Sequence, residues 1–286
     1  LEAVYEEYNI GLSSDWRKVY AALFAKLFPT HPYGTQTTIG LGEHLKNPSI
    51  TNIKNYFKKY YVPNNIAICL SGDLDPDKTV AAIDKYFSSW QPSAHIDVPQ
   101  FPAQPVLTTP VDTTVVGKEA PMLFMGWRAE PSNSQQIDTL EIVAQLLSNG
   151  QAGLFDLDLS QKMKVQEIEA GVTDMNDYSV FYVYGQSKSG QTLQEVRSLA
   201  LDEIEKLKKG NFSDDLLPSI VNNYKRYYYK QLDNNQFRAK QYVDAFINHK
   251  DWKKEVDKLN RISKLTKAEI VKFANQFFRN DFACVY

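Results

Sequence analysis

The chain has 286 residues, of which 43 % are apolar and 23 % charged, and its formal net charge is −2. These values are typical of a soluble globular protein long enough for two domains, and they exclude a mainly disordered chain. The near-neutral balance argues against nucleic acid or an acidic membrane as the main partner. No segment approaches the roughly 18 consecutive apolar residues of a membrane span. We therefore expect a soluble protein of the cytoplasm or periplasm, cut at both ends from a longer chain.

The first third of the chain predicts three helices and a strand. Apolar residues recur at three- and four-residue steps over 1–28, where Ser14 or Asp15 is a plausible N-cap, and again over 49–61. The buried stripe predicted for the helix at 49–61 consists of Ile53, Tyr56, Phe57, Tyr60 and Tyr61. The nearly continuous apolar run 66–72 predicts a strand covered on both faces. A third helix is predicted over 79–90.

A proline-rich segment separates two predicted domains. Residues 91–110 contain five of the 13 prolines, a density that disfavours both helix and central strand. We therefore place one domain at 1–100 and a second at 101–286. In the second, the sequence predicts strands at 113–116, 121–127 and 178–186, and helices at 135–147, 193–209, 213–234, 237–249 and 266–278.

Two segments 217 positions apart resemble each other. Residues 49–61 and 266–278 both begin with a hydroxyl residue and carry Ile, an aromatic residue and an aromatic pair at matching positions. Each precedes an apolar run with a cysteine, Cys69 or Cys284, which we predict to be a buried thiol in a strand. Chance similarity of two helix–strand units is one explanation. The other is an α+β fold made of two copies of one domain, the first truncated at its N-terminal side.

Histidine spacing excludes the usual catalytic zinc motifs. The four histidines are His31, His44, His95 and His249. None lies three or four residues from another, so HxxEH and HExxH are both absent, and each histidine is predicted in a loop or on the surface. The sequence also contains no GxSxG and no GxGxxG. Glu2, Glu6 and Glu7 taken alone predict a solvated acidic helix face.

Several short motifs occur in an order that is typical of one family. They are Ala3-Val4-Tyr5-Glu6-Glu7-Tyr8-Asn9, His31-Pro32-Tyr33-Gly34, Thr38-Ile39-Gly40, the run from Pro48 through Asn65 to Pro76, and Met122-Leu123-Phe124-Met125-Gly126-Trp127. Together they resemble the pitrilysin/insulinase family of inverted zinc metallopeptidases, and the resemblance covers essentially the whole chain. It implies two related α+β domains, 1–100 from the catalytic type and 101–286 from the non-catalytic repeat.

The resemblance also implies a partial zinc site. In the family, two histidines of HxxEH and a glutamate far downstream hold the metal. Glu7 matches that glutamate, with Glu6 one register away, whereas the HxxEH segment and a further family acid would precede Leu1. We therefore expect zinc in the parent protein but none in this chain alone, and no hydrolysis without the missing segment.

Three functions are compatible with these observations. The first is a fragment of a metalloendopeptidase that cleaves peptides in an enclosed chamber. Its partners would be the peptide substrate and the missing part of the same protein or a homologous subunit. The second is a non-catalytic scaffold or partner subunit of the same family. The third, a peptide- or carbohydrate-binding module, is supported only by the aromatic content.

Overall fold

The computed structural model describes residues 1–286 and contains one five-stranded sheet with the strand order β1-β5-β2-β4-β3. The strands are β1 (Val111–Thr113), β2 (Met122–Ala129), β3 (Glu167–Thr173), β4 (Ser179–Gln186) and β5 (Phe282–Val285). Only β1 and β5 pair in parallel, while the other three pairings are antiparallel. The predicted α+β class is confirmed.

Twelve helices surround or extend from this sheet. They are α1 (Glu2–Ser13), α2 (Asp15–Leu27), α3 (Pro32–Thr35), α4 (Gly42–Lys46), α5 (Ile50–Tyr60), α6 (Pro76–Phe87), α7 (Gln136–Leu147), α8 (Leu193–Lys208), α9 (Leu216–Leu232), α10 (Asn235–Ile247), α11 (Trp252–Ser263) and α12 (Lys267–Phe277). A 3-10 turn at Pro63–Asn65 and a π-helical turn at Asp156–Ser160 complete the regular structure. None of the twelve helices combines the length and apolarity needed to cross a lipid bilayer.

The larger core lies between one face of the sheet and the helices of the second half. Trp127 on β2 is buried at its centre, with ring centroids 4.8 Å from Phe282 and 5.3 Å from Phe278. Its indole nitrogen donates a hydrogen bond to the carbonyl of Arg279 at 3.0 Å. Burying the ring therefore leaves no unsatisfied polar atom, as a tryptophan in a core requires.

The other face of the sheet is covered by α2, a helix from the first 28 residues. Its apolar side packs on residues of β2, β4 and β5, and this smaller core contains Val19, Leu23, Phe24, Leu27, Phe28, Met122, Phe124, Val180, Ala283 and Val285. Gly126 makes the close approach possible, because an added Cβ would lie 3.0 Å from a methyl carbon of Leu27. The sheet is thus covered on both sides.

Residues 49–90 depart from the predicted burial. Helices α5 and α6 form where the periodicity predicted, with Ser49 and Asp75 as N-caps, but neither helix buries a residue. Ile53 is 54 % and Phe57 55 % exposed, so the predicted buried stripe is wrong for this chain. Apolar side chains in this pattern are usually buried by packing against other elements, but no element of this chain covers them.

The predicted strand at 66–72 is also absent. This segment pairs with no strand, and Ile68 and Leu70 are each about half exposed. Cys69 is therefore half-buried outside any strand, in contrast to the prediction, whereas Cys284 is buried in β5 as expected. A strand needs a neighbour for its backbone groups, and 66–72 has none within the chain.

Two elements of the second half did not emerge from the sequence patterns, β3 and α11. In β3, Glu167, Ile168 and Glu169 alternate in polarity, which is a period-two signal, but small residues follow and weaken it. Helix α11 has few apolar residues, yet Asp251 caps it through a 2.9 Å hydrogen bond from the backbone nitrogen of Lys253. That capping residue was the available signal.

Candidate functional site

The candidate metal ligand, Glu7, lies in the middle of α1. This helix buries none of its residues, and both Glu6 and Glu7 are exposed to solvent without an ion pair or a hydrogen bond from their carboxylates. Adjacent helix positions point about 100° apart, so only one of the two carboxylates can face a given metal. Glu7 is thus accessible from outside this chain.

Helix α1 contacts the rest of the chain through the side that carries Tyr5 and Tyr8. Tyr5 and Tyr8 stack with ring centroids 6.3 Å apart, and the ammonium of Lys46 lies 5.7 Å from the Tyr5 ring centroid. Tyr8 contacts α4 closely at Gly42, where an added Cβ would lie 2.9 Å from the tyrosine ring. The tyrosine side faces α4, which leaves the Glu6 and Glu7 carboxylates in solvent.

The residues of this chain do not make a zinc site by themselves. A protein zinc site takes three or four ligands from His, Cys, Asp or Glu, and no three such side chains come together among residues 1–286. His44, His95 and His249 are all exposed, and His95 pairs with Asp97 at 2.8 Å. A metal held by Glu7 would need further ligands that this chain does not bring near it.

His31 lies in the loop between α2 and α3, in agreement with the prediction of a loop or surface position, although it is buried rather than solvated. It caps the short helix α3, but its side chain is only 1 % exposed. Its Nδ1 accepts a hydrogen bond from the backbone nitrogen of Tyr33 at 3.1 Å, and Nε2 lies 3.2 Å from Asp177 Oδ2. Rings of Phe101 and Tyr178 surround the imidazole. After α2 the chain turns back and places His31 against the β3–β4 turn. This contact between distant residues cannot be predicted from the local sequence.

Asp15 anchors the other end of α2. Its Oδ2 accepts hydrogen bonds from the backbone nitrogens of Lys118 and, at 2.7 Å, Glu119. Lys18 donates to its other oxygen at 2.8 Å, and this bond together with the Glu119 and Lys118 N–H groups lowers the pKa of Asp15 to about 2. Ser14, the other N-cap candidate, caps α2 through the backbone nitrogen of Arg17.

The contacts of Asp15 and His31 hold both ends of α2, and the adjoining C-terminal end of α1, against the second half of the chain. Gln104 adds a third tie near His31, because its side-chain oxygen accepts a hydrogen bond from Thr30 N at 3.1 Å and its nitrogen donates to Thr30 Oγ1 at 2.9 Å. The C-terminal end of α1, the helix with the candidate ligand, therefore adjoins a helix that is tied to the second half of the chain.

A family model described as the peptidase M16 inactive domain matches residues 49–224, more than half of the chain. The curated zinc protease PqqE of Helicobacter pylori is 22 % identical over 270 residues, which are 92 % of this chain and 60 % of the relative. The chain therefore spans less than two thirds of that protein.

Solved structures agree with the fold. A protease from Helicobacter pylori superposes with a TM-score of 0.91 at 21 % identity, over 99 % of this chain and 70 % of the other. A peptidase M16 inactive domain from Pseudomonas fluorescens gives a TM-score of 0.83 at 13 % identity, over 99 % and 68 %. With the fold and the family model in agreement, the chain belongs to the peptidase M16 family, the pitrilysin/insulinase type of zinc metallopeptidase.

Proposed function

We propose that this chain is part of a zinc-dependent metalloendopeptidase that cleaves peptides in an enclosed chamber, and that it is inactive by itself. Glu7 supplies one carboxylate to the metal. The remaining ligands, and the general base for hydrolysis, would belong to an HxxEH segment outside the chain. Glu6, one position earlier, is the less suitable candidate for this ligand.

The uncovered apolar face of residues 49–90 carries this proposal. Helices α5 and α6 and the segment 66–72 have the composition of a domain interior, yet Ile53, Phe57 and Leu70 are each about half exposed. Many exposed apolar side chains in one segment normally mark a place that other protein covers. It supports a first domain, 1–100, that is completed by the missing part of the same protein or by a homologous subunit, beside a second repeat at 101–286.

The H. pylori relative supports zinc and proteolysis as the chemistry, since it is described as a zinc protease and the chain matches 60 % of its length. A peptide substrate follows from that description. Glu7 then has a role that its surroundings do not otherwise explain, because it stabilises nothing within the chain.

A non-catalytic scaffold or partner subunit is the second candidate. One observation favours it, namely that the matching family model describes an inactive domain. A scaffold does not require a metal ligand at position 7. The two functions are therefore distinguished by whether the rest of the parent protein contains the other metal ligands. An HxxEH motif in the upstream sequence would support the peptidase, and its absence would support the scaffold.

The decisive experiment compares this chain with the parent protein that contains the upstream segment. We expect less than one equivalent of zinc in the purified chain, and one equivalent together with hydrolysis of a quenched fluorescent peptide in the parent. Metal and base act as a unit, so both should appear together. Tight equimolar zinc in the chain alone would refute the partial-site proposal. A zinc-free parent without hydrolysis would favour the scaffold.

A further inference from the structure

A cavity of about 660 Å³ lies at the carboxyl end of β2, between the start of α7, the end of α12 and the linker that follows residue 101. Its volume falls within the range of about 300–1,000 Å³ that is usual for ligand sites. Phe273 and Phe277, whose rings stack 5.7 Å apart at 9°, form an apolar wall with Leu107. The amides of Gln136 and Gln276 add donors and acceptors.

The cavity lining contains two cations, Arg128 and Arg279, of which Arg279 is paired with Asp281. One nitrogen of Arg128 donates to the carbonyl of Pro105, and its guanidinium forms no ion pair with any carboxylate. Burial lowers its pKa from the usual value, because desolvation disfavours the charged form. The guanidinium is half-buried and has N–H donors without partners, arranged in a fixed planar fork. A carboxylate matches this arrangement, because it can accept two of these hydrogen bonds at once.

Asp281 is a carboxylate of the same lining. Its Oδ2 pairs with Arg279 at 2.9 Å, whereas Oδ1 is buried and has no hydrogen-bond partner. Oδ1 is shielded from solvent, so an entering ligand does not reach it, and Asp281 contributes negative charge near Arg128. Glu130, the remaining charged residue of the lining, is exposed and stays solvated.

We propose that this cavity binds the C-terminal end of a peptide. The terminal carboxylate pairs with Arg128, and the last side chain packs on Phe273 and Phe277. The choice of a peptide rests on the proposed function, since the parent would release peptides. The requirement for a free carboxylate rests on Arg128 alone, and simple inorganic anions do not suit the apolar wall.

Binding can be measured on this chain without catalysis. The probe is an Ala-Ala-Phe tripeptide with an N-terminal fluorophore, titrated by fluorescence anisotropy as the free acid and as the C-terminal amide. We expect the acid to bind about tenfold more tightly, which corresponds to one charge-assisted hydrogen-bonded pair. Arg128→Gln should remove this preference, whereas Arg226→Gln, the same change at an exposed arginine of α9, should keep it.

Equal affinity of acid and amide for the wild-type chain would overturn the proposal, as would no binding of either, or an unchanged preference in Arg128→Gln. The wild-type comparison decides even if that variant misfolds. Benzoate tests whether any carboxylate suffices, and displacement of the peptide by benzoate at equal concentration would also contradict a peptide-end site. Absence of zinc or hydrolysis in the parent would refute the proposed function but would leave this acid-over-amide comparison intact.

Discussion

Asp15 and His31 hold the two ends of α2 against the second half of the chain. The partners of Asp15 lie 103 and 104 positions away, and the partner of His31 lies 146 positions away. Local patterns could indicate that Asp15 stands at a helix start, but not that distant backbone nitrogens reach its carboxylate. Glu7 was identified through its neighbours in sequence, because no contact within the chain marks it.

Replacing Asp15 by Asn should lower the thermal midpoint at pH 7 by a few degrees, since two backbone donors and Lys18 lose a charged acceptor. The folded pKa of about 2 lies below the usual aspartate pKa of 3.8. The stabilisation is therefore complete above pH ~4 and is lost as the pH falls towards ~2. Thermal melts across this range should show the variant and the wild type converging. Asp84→Asn on exposed α6 is the control, and a constant difference at all pH values would contradict the assignment.

Replacing Glu7 by Gln in the parent protein should reduce zinc affinity and peptide hydrolysis together while the fold stays intact. A neutral amide is a poorer ligand than a carboxylate. The loss should exceed the roughly 10–100-fold change typical of outer-sphere substitutions. Metal analysis and peptide cleavage are measured for Glu7→Gln and Glu6→Gln side by side. If only Glu6→Gln is impaired, the register is wrong by one. If neither is, α1 carries no metal ligand.

At the level of elements, helices α5 and α12 have similar sequences but different surroundings. Both begin with a capping hydroxyl, Ser49 or Thr266, whose oxygen accepts a backbone hydrogen bond. Ile270 on α12 is fully buried, whereas its counterpart Ile53 on α5 is half exposed. Periodicity and capping residues suffice to predict both helices. Burial depends on what covers a helix, and only α12 has its cover within the chain.

This pair provides a matched test. Ile270→Ala should destabilise the chain by about 2–5 kcal/mol, because it leaves a cavity in the core. Ile53→Ala should change the free energy of unfolding by no more than about 0.5 kcal/mol, as for other exposed sites. Denaturant unfolding measures both. In the parent protein the cost of Ile53→Ala should rise towards that of Ile270→Ala. Equal costs in the parent and in this chain would argue against a missing cover for α5.

The whole molecule consists of a well-packed part, in which the sheet is covered on both faces, and an uncovered part at 49–90. The sequence predicted the α+β class and every helix of the second half except α11, because periodicity and caps are local. It could not predict that β3 pairs at the sheet edge or that 66–72 finds no partner, since pairing depends on distant residues. For the metal site, the sequence predicts one ligand, Glu7, and this stays a prediction.

The exposed apolar face should make the isolated chain self-associate. We expect association at micromolar concentration and binding of an apolar dye such as ANS, because large exposed apolar patches favour both. Light scattering after size exclusion and dye fluorescence measure these effects. The double variant Ile53→Lys, Phe57→Lys should reduce both effects. The same changes at exposed Leu157 and Met163, in the second half, should not. A monodisperse chain without dye binding would show that this face needs no cover.

Because α2 packs on the sheet, the segment that repeats in sequence differs from the segment that we expect to unfold as one cooperative unit. The proposed repeat starts after residue 100, but the sheet of that repeat obtains one of its two apolar covers from α2. Amide hydrogens of α2 and β2 should therefore exchange with solvent in one slow step, and those of α5 and α6 in an earlier one. For the same reason, residues 101–286 produced alone should need α2, even as a separate peptide, to fold fully.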